Sequence, residues 1–263
     1  LVIFERLTNK GIALDFISKD YIDNPYKTYN SMRSHKPILF SQTTRLHWVT
    51  KMEFAQEMLR DKRFSVDDRK YPIAEKRRKE FKKAGREIML EQFENPSMLK
   101  LDPPDHSRIR KLVQYGFTNR YITSLEPEIK KIVEDCLSKV HNQDSFDLIE
   151  DLAKPLPAIV IAKMMGLPNE DLDQFQAWSE DLLVGVGGIG TSIEDIKKSG
   201  DAYEALINYF EEIILSRKNS PGDDFIGKLI QAEEEGDKLN IKEMYGTCLL
   251  LLIAGHETTT RLI

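Results

Sequence analysis

The last two dozen residues of the chain constrain its fold most strongly, because they form a helical segment too apolar to lie on a surface. Six apolar residues run from Leu249 to Ala254 within the sequence LLLLIAGHETTTRLI. A helix that is apolar around most of its circumference has to be surrounded by other elements. Asn240 and Glu243 stand at the spacing of a capping box that starts such a helix. The segment therefore predicts a buried helix over about 241–263.

The composition is that of an ordinary globular protein. Hydrophobic residues make up 41% of the 263 residues, charged residues make up 31%, and the net charge is −5. An acidic chain is not expected to bind nucleic acid through its overall charge, and no apolar run approaches the roughly 18–20 residues of a membrane span. Two cysteines, Cys136 and Cys248, provide no disulfide framework. We therefore predict a cytoplasmic protein without a membrane span and without a nucleic-acid partner.

Helical periodicity dominates the remaining sequence, and one hairpin interrupts it. Alternation at Leu46, Trp48 and Thr50 predicts a β-hairpin over about 37–50. A helix over about 103–116 is predicted by Asp102 as the N-cap and Pro103 in the first turn, with Asp105 at the capping-box position. Further helices are predicted around PYKTYNSMRSH, KMEFAQEMLR, KPLPAIVIAKMMGLP, NEDLDQFQAWSEDLL and DFIGKLIQAEEE, and over about 124–140 and 194–217. We expect one mainly α domain with a small β-sheet and no second domain.

Two familiar motifs occur in a context that does not support their usual function. Residues 185–190 match G-x-G-x-x-G, but an amphipathic helix precedes them where a dinucleotide site needs a strand. A flexible connector between two helices is the better interpretation. His256 and Glu257 begin the zinc-protease pattern H-E-x-x-H, but Thr260 stands where the second histidine belongs. A zinc hydrolase is therefore disfavoured.

The polar end of the last helix suggests proton chemistry. Thr258 can donate a hydrogen bond to the carbonyl of Ala254, which tends to bend or open a helix. Gly255 lacks a side chain, so that a flat or bulky group could approach the backbone. Glu257 next to a threonine alcohol is a plausible proton relay. The alternative is an ordinary helix end, where glycine and threonine are common.

Two further features are cationic. His106 and Arg110 lie one turn apart on the same face of the helix predicted at 103–116, and both can donate to carboxylates. By itself such a pair is more often a solvated face. Residues 69–86 contain nine Lys or Arg and two Glu, against the overall negative charge. This run is either a solvated helix or a docking surface for an acidic partner protein.

The segments DPPDHSRIRKLVQYGFTNR and CLLLLIAGHETTT together resemble the C helix and the oxygen-binding I helix of the cytochrome P-450 family. The resemblance extends over the whole chain, since PILFSQTTRLHWVTKMEFAQEMLRDKRFS is similar to the family's first sheet and B helix. It implies the cytochrome P-450 fold, with residues 1–263 as the N-terminal part of a single domain that is truncated within the I helix.

The resemblance also implies a function. It implies haem b (iron protoporphyrin IX), with His106 and Arg110 on a propionate and Leu99, Ala254, Gly255 and Thr259 as further haem contacts. Thr258 would hold the oxygen molecule and Glu257 would help to deliver protons to it. The expected activity is a monooxygenase that uses O2, a small apolar substrate and a ferredoxin- or flavodoxin-type electron donor. The substrate pocket is expected to be lined by about 66–100 and 170–195.

One element of the family pattern is missing. Neither Cys136 nor Cys248 matches the family's F-x-x-G-x-x-x-C-x-G motif, so we expect the axial cysteine downstream of Ile263 and no metal ligand within the chain. An alternative to the enzyme is a degenerate family member that binds an apolar ligand without chemistry.

Overall fold

The computed structural model describes residues 15, 18–42, 44–184, 192–234 and 236–263. The G-x-G-x-x-G stretch at 185–190 lies outside the described residues. Two compact units can be distinguished, one formed by residues 1–65 with 188–190 and the other by 66–187 with 191–263. Among the described helices, none has the length and apolar character needed to cross a bilayer. The expectation of a single domain stays a prediction.

The first unit contains the predicted hairpin. Its elements, in chain order, are α1 (Lys19–Asp23), α2 (Pro25–His35), β1 (Ile38–Ser41), β2 (Leu46–Val49) and α3 (Met52–Arg60). β1 and β2 pair antiparallel with Ile38 opposite Val49, which confirms the hairpin. Met32 and Leu39 are fully buried, and Trp48 packs against them. Pro25 occupies the first turn of α2, where its missing N–H costs no helical hydrogen bond.

The second unit is almost entirely helical. Its helices are α4 (Ala74–Lys83), α5 (Glu87–Glu94), α6 (Asp105–Gln114), α7 (Asn119–Ser124), α8 (Glu126–Ser138), α9 (Pro155–Met164), α10 (Leu172–Val184), α11 (Ile193–Arg217), α12 (Phe225–Gln231) and α13 (Ile241–Leu262). Between α12 and α13 lies a short antiparallel pair, β3 (Glu233–Glu234) with β4 (Asp237–Lys238). Together with the first hairpin, these elements confirm a mainly α protein with a small amount of β structure.

The last helix lies in the middle of this unit, as its sequence predicts. The α9, α10, α11 and α12 helices all pack against α13. Cys248 and Leu252 are buried on α13, in one core with Phe175, Phe210 and Phe225. The predicted capping box of Asn240 and Glu243 starts the helix. Because one face of α13 is buried from Tyr245 to His256, its position is fixed by packing rather than by its intrinsic helix propensity.

Several predicted boundaries differ from the structure. The α6 helix begins at Asp105, and the carboxylate of Asp102 does not cap it but accepts hydrogen bonds from Val66 N (3.1 Å) and Lys70 Nζ (2.7 Å). The helix predicted through residue 235 ends at Gln231, because β3 pairs with β4 around Gly236, whose φ is +83°. The start of α6 differs because Asp102 bonds to residues that are distant in the sequence. The end of α12 differs because the chain turns at Gly236.

Candidate functional site

The polar end of α13 remains a regular helix. The Thr258 hydroxyl donates to the carbonyl of Ala254 at 2.5 Å, as expected. The expected opening of the helix is wrong, however, because α13 is continuous from Ile241 to Leu262. A carbonyl oxygen has two lone pairs, so it can accept from a side chain while its backbone hydrogen bond is kept. The hydroxyl is therefore held in place without breaking the helix.

An exposed stripe follows α13 beside its buried face. Ala254, Thr258 and Thr259 are exposed, whereas Leu252 and His256 are buried. The sequence predicted an open surface at Gly255, but Gly255 lies outside this stripe. A Cβ built on it would lie 3.0 Å from Cδ1 of Ile161 on α9. The missing side chain thus serves the close approach of α9 and α13. The stripe exposes one small apolar residue and two hydroxyls.

The carboxylate of Glu257 is paired within its own helix. Its Oε1 accepts from Arg261 Nε at 3.0 Å, one turn further on. The Glu257 side chain is 39% exposed and lines a cavity of about 590 Å³ together with Lys154 and Glu180. An exposed pair of this kind contributes little to stability. The carboxylate can therefore exchange its partner at small cost, which a proton carrier requires.

His256 has a structural role that the sequence motif did not indicate. Its imidazole is buried; Nδ1 lies 2.6 Å from Ser179 Oγ on α10, and Nε2 lies 3.1 Å from the carbonyl oxygen of Lys154. A carbonyl can only accept, so Nε2 carries the proton and Nδ1 accepts from the serine. Burial lowers the pKa of His256, although the hydrogen bond to Lys154 and the charges of Glu180 and Glu257 oppose this shift. Both nitrogens are engaged, which leaves no lone pair for a metal.

The cationic pair on α6 has no partner among the described residues. Neither the His106 nor the Arg110 side chain forms a hydrogen bond or ion pair with another of the described residues. His106 is half-buried and Arg110 is exposed. Between them, Arg108 pairs with Glu243 at the start of α13 and with Asp237 at 3.3 Å. This arrangement leaves the other two donors available.

Arg108 is a positioning residue that the sequence did not single out. Burial alone would lower the pKa of Arg108, but the hydrogen bond and charge of Glu243 outweigh it, so that the pKa is raised. The ion pair therefore stays formed at any physiological pH. It fixes α6 against the first turn of α13, and it thereby sets where the face with His106 and Arg110 points.

An apolar cavity of about 350 Å³ lies beside α13. Its lining includes Phe81, Met89, Phe93, Leu99, Leu249 and Ile253. Segment 66–100, which the sequence places in the substrate pocket, contributes to this wall. The α11 helix contributes Tyr203, and no lining residue comes from the described part of 170–195. Leu99 is 62% exposed and so presents an apolar surface beside the helix. The wall is mostly apolar, which suits an apolar ligand.

These features fit a flat apolar group with acidic substituents. The exposed stripe of α13 and Leu99 offer apolar contact, while His106 and Arg110 offer unpaired donors for carboxylates. Cys136 and Cys248 are both buried, and burial raises the pKa of Cys248 to about 12. Burial also raises the pKa of Cys136, which confirms it as a core residue.

Comparison with known proteins defines the class. The family model described as "Cytochrome P450" matches residues 5–262. A putative cytochrome P450 of Bacillus subtilis is 33% identical over the whole chain and 62% of its own length. The biotin biosynthesis cytochrome P450 of the same organism is 34% identical over 96% of the chain and 61% of its own length. The protein therefore belongs to the cytochrome P450 family.

Solved structures agree with this assignment. The structure of P450BioI in complex with an acyl carrier protein that carries hexadec-9Z-enoic acid superimposes with a TM-score of 0.78 at 31% identity, over 93% of the chain and 60% of the solved chain. The chain spans about three fifths of the length of these relatives. Cytochrome P450 proteins bind haem, so the expected fold and cofactor class are confirmed.

Proposed function

We propose that the whole protein is a haem-thiolate monooxygenase that inserts one oxygen atom of O2 into an apolar substrate. The observation that carries this proposal is the exposed stripe of α13, where a fixed hydroxyl at Thr258 adjoins the family's acidic position at Glu257. Haem b, when bound, supplies the electron transfer and oxygen activation that no side chain provides. A cysteine in the family's motif would hold the haem iron as a thiolate, and neither Cys136 nor Cys248 matches that motif.

We assign the cofactor contacts to three parts of the chain. His106 and Arg110 would bind a haem propionate, because they are donors on one face of α6 without a partner among the described residues. Ala254, Thr258 and Thr259, on the exposed side of α13, would contact the haem, and so would Leu99. Gly255 contributes through the backbone, since its α-carbon faces Ile161.

Proton transfer involves two side chains of α13. Thr258 presents its hydroxyl to the oxygen molecule and donates a hydrogen bond to it in place of the Ala254 carbonyl. After its carboxylate has left Arg261, Glu257 would resupply the proton, because it lines a cavity that also contains the charged groups of Lys154 and Glu180. A positioned donor and a proton carrier are what general acid catalysis requires.

The substrate is an apolar molecule bound in the cavity of about 350 Å³ beside α13. P450BioI binds an acyl carrier protein with a fatty acyl chain, and an acyl chain fits the wall of Phe81, Phe93 and Leu249. Electrons come from a ferredoxin- or flavodoxin-type donor. The two free, buried cysteines accord with a cytoplasmic protein.

A non-catalytic binding protein is the second candidate. The apolar cavity alone would serve such a protein, but it would not account for His106 and Arg110, which have no partner among the described residues. We therefore favour the enzyme.

Labelled oxygen distinguishes the two candidates. The full-length, haem-loaded protein should be supplied with a surrogate ferredoxin, its reductase, palmitic acid, and O2 labelled with heavy oxygen. We expect a hydroxylated product with one labelled atom by mass spectrometry. Product oxygen derived from water, or bound acid without product, would contradict the monooxygenase.

A further inference from the structure

The basic run at 69–86 is mostly neutralised by ion pairs, and the structure identifies the cations that are not. Six of its nine cations form ion pairs with carboxylates: Arg69, Lys70, Lys76, Arg77, Arg78 and Arg86. Lys79, Lys82 and Lys83 are exposed and have no ion pair within the part of the chain that the structure describes. We call these three residues the lysine patch. All of them lie on α4.

One side of α4 is fixed to the protein, and this leaves the lysine patch at the surface. Ala74 is buried at the start of the helix. Arg78 donates to Glu94 at 2.5 Å, and its guanidinium lies 5.4 Å from the ring centre of Phe93. Phe81 packs against the same ring at 6.1 Å. Because these contacts recur every three or four residues, they use one face of the helix, and the lysines project from the remainder.

The α4 helix also forms part of the apolar cavity. Phe81 and Phe93 line it together with Leu249, Leu250 and Ile253 of α13. A partner bound to the lysine patch would thus lie on the helix whose other face meets the candidate substrate. The short α4 helix therefore has a charged surface on one side and an apolar cavity on the other.

We propose that the lysine patch docks an acidic acyl carrier protein, which presents its acyl chain to the cavity behind α4. The proposal rests on the proposed monooxygenase function and names its substrate as a carrier-bound acyl chain. A free fatty acid has a single carboxylate, and it would not need three cations spread along a helix. An electron donor would gain nothing from an adjacent apolar cavity. An acyl carrier protein uses both the lysine patch and the cavity, because its surface is acidic and its acyl chain is apolar.

The test compares the same acyl chain with and without its carrier. The full-length, haem-loaded protein and its triple variant Lys79→Glu, Lys82→Glu, Lys83→Glu should be titrated with palmitoyl acyl carrier protein and with palmitic acid. We expect the variant to bind the carrier-linked chain at least about tenfold more weakly, with a smaller dependence on salt. Its affinity for palmitic acid should stay within about twofold, because the cavity wall is unchanged.

A matched variant controls for the change in net charge. Lys131, Lys139 and Lys218 are exposed, lie outside α4 and form no ion pair within the described chain. Their replacement by Glu should leave carrier binding unchanged. Equal loss of carrier binding in both variants would overturn the proposal, as would unchanged carrier binding in the α4 variant. Slower reduction by ferredoxin with intact carrier binding would also overturn it, because the surface would then belong to the electron donor. None of these outcomes depends on turnover, so failure of the monooxygenase assignment is detected separately.

Discussion

Replacing Thr258 by Ala in the full-length protein should divert most consumed electrons from product to hydrogen peroxide. The hydroxyl of Thr258 is held at 2.5 Å from the Ala254 carbonyl on the exposed stripe of α13. In the proposed mechanism, the variant would lack the proton donor to the oxygen molecule, and electrons would leave as hydrogen peroxide. Loss of a positioned acid typically costs a factor of about 10²–10⁴, so product per electron should fall by about tenfold or more. Product, peroxide and NADPH consumption measured together give this ratio.

Two further variants separate chemistry from helix structure. Thr260 donates to the carbonyl of His256 at 3.0 Å, which is the same type of bond on another face of α13. Thr260→Ala should therefore keep the coupling ratio, whereas Thr258→Ser should largely restore it. A Thr258→Ala protein with unchanged coupling would show that this hydroxyl has been misassigned.

Replacing His256 by Leu should cause a large loss of stability. The substitution leaves the Ser179 hydroxyl and the Lys154 carbonyl without partners in a buried environment. Each unsatisfied group costs about 1–3 kcal/mol, and we expect the free energy of unfolding to fall by about 2–4 kcal/mol. Urea unfolding of the full-length protein measures this. Unchanged stability would mean that the two hydrogen bonds do not hold α10 and α9 to α13.

The effects of substituting His256 and Ser179 on stability should not be additive, because the two side chains are bonded to each other. Ser179→Ala alone removes the donor to Nδ1, so its cost should overlap with that of His256→Leu, and the double variant should lose less than the sum. His256→Gln retains a donor and an acceptor, and it should recover part of the stability. Additive losses in the double variant would argue against a direct hydrogen bond.

The stability of the protein should also depend on pH through His256. Burial lowers its pKa below the ordinary value of 6.5, so the native state binds fewer protons than the unfolded state. The contribution of the neutral imidazole is therefore fully present above pH 6.5 and is lost as the pH falls towards the lowered pKa. The Gln variant should lack this part of the acid sensitivity.

Local signals in the sequence were sufficient for most of the helices and for the hairpin, but α5 and α7 were not predicted. The capping box at Asn240 and the alternation around Trp48 involve neighbouring residues, and both are found in the structure. The buried position of α13 was also predictable from the sequence, because an apolar run of that length has to be covered by other elements. The end of α12 was missed because β3–β4 pairing competes with the helix there.

The site was predictable only where its residues share one element. His106 and Arg110 lie on one helix, so their common face follows from their spacing. The bonds from His256 to Ser179 and Lys154 join residues 77 and 102 positions apart. The periodicity of the sequence predicts only local contacts, so it could not predict these bonds. The contact of Gly255 with Ile161 was missed for the same reason. The lysine patch was not predictable either, because the ion pairs of its neighbours are partly tertiary, as for Arg78 with Glu94 and Arg86 with Asp201.

The most direct measurement is the absorption spectrum of the full-length protein after reduction and addition of carbon monoxide. It needs neither substrate nor redox partner, and it reports whether haem is bound and which ligand holds it. The account predicts haem bound in stoichiometric amount and a Soret band at the shifted position that is typical of thiolate ligation. A protein without haem, or a complex whose band lacks the thiolate shift, would contradict it.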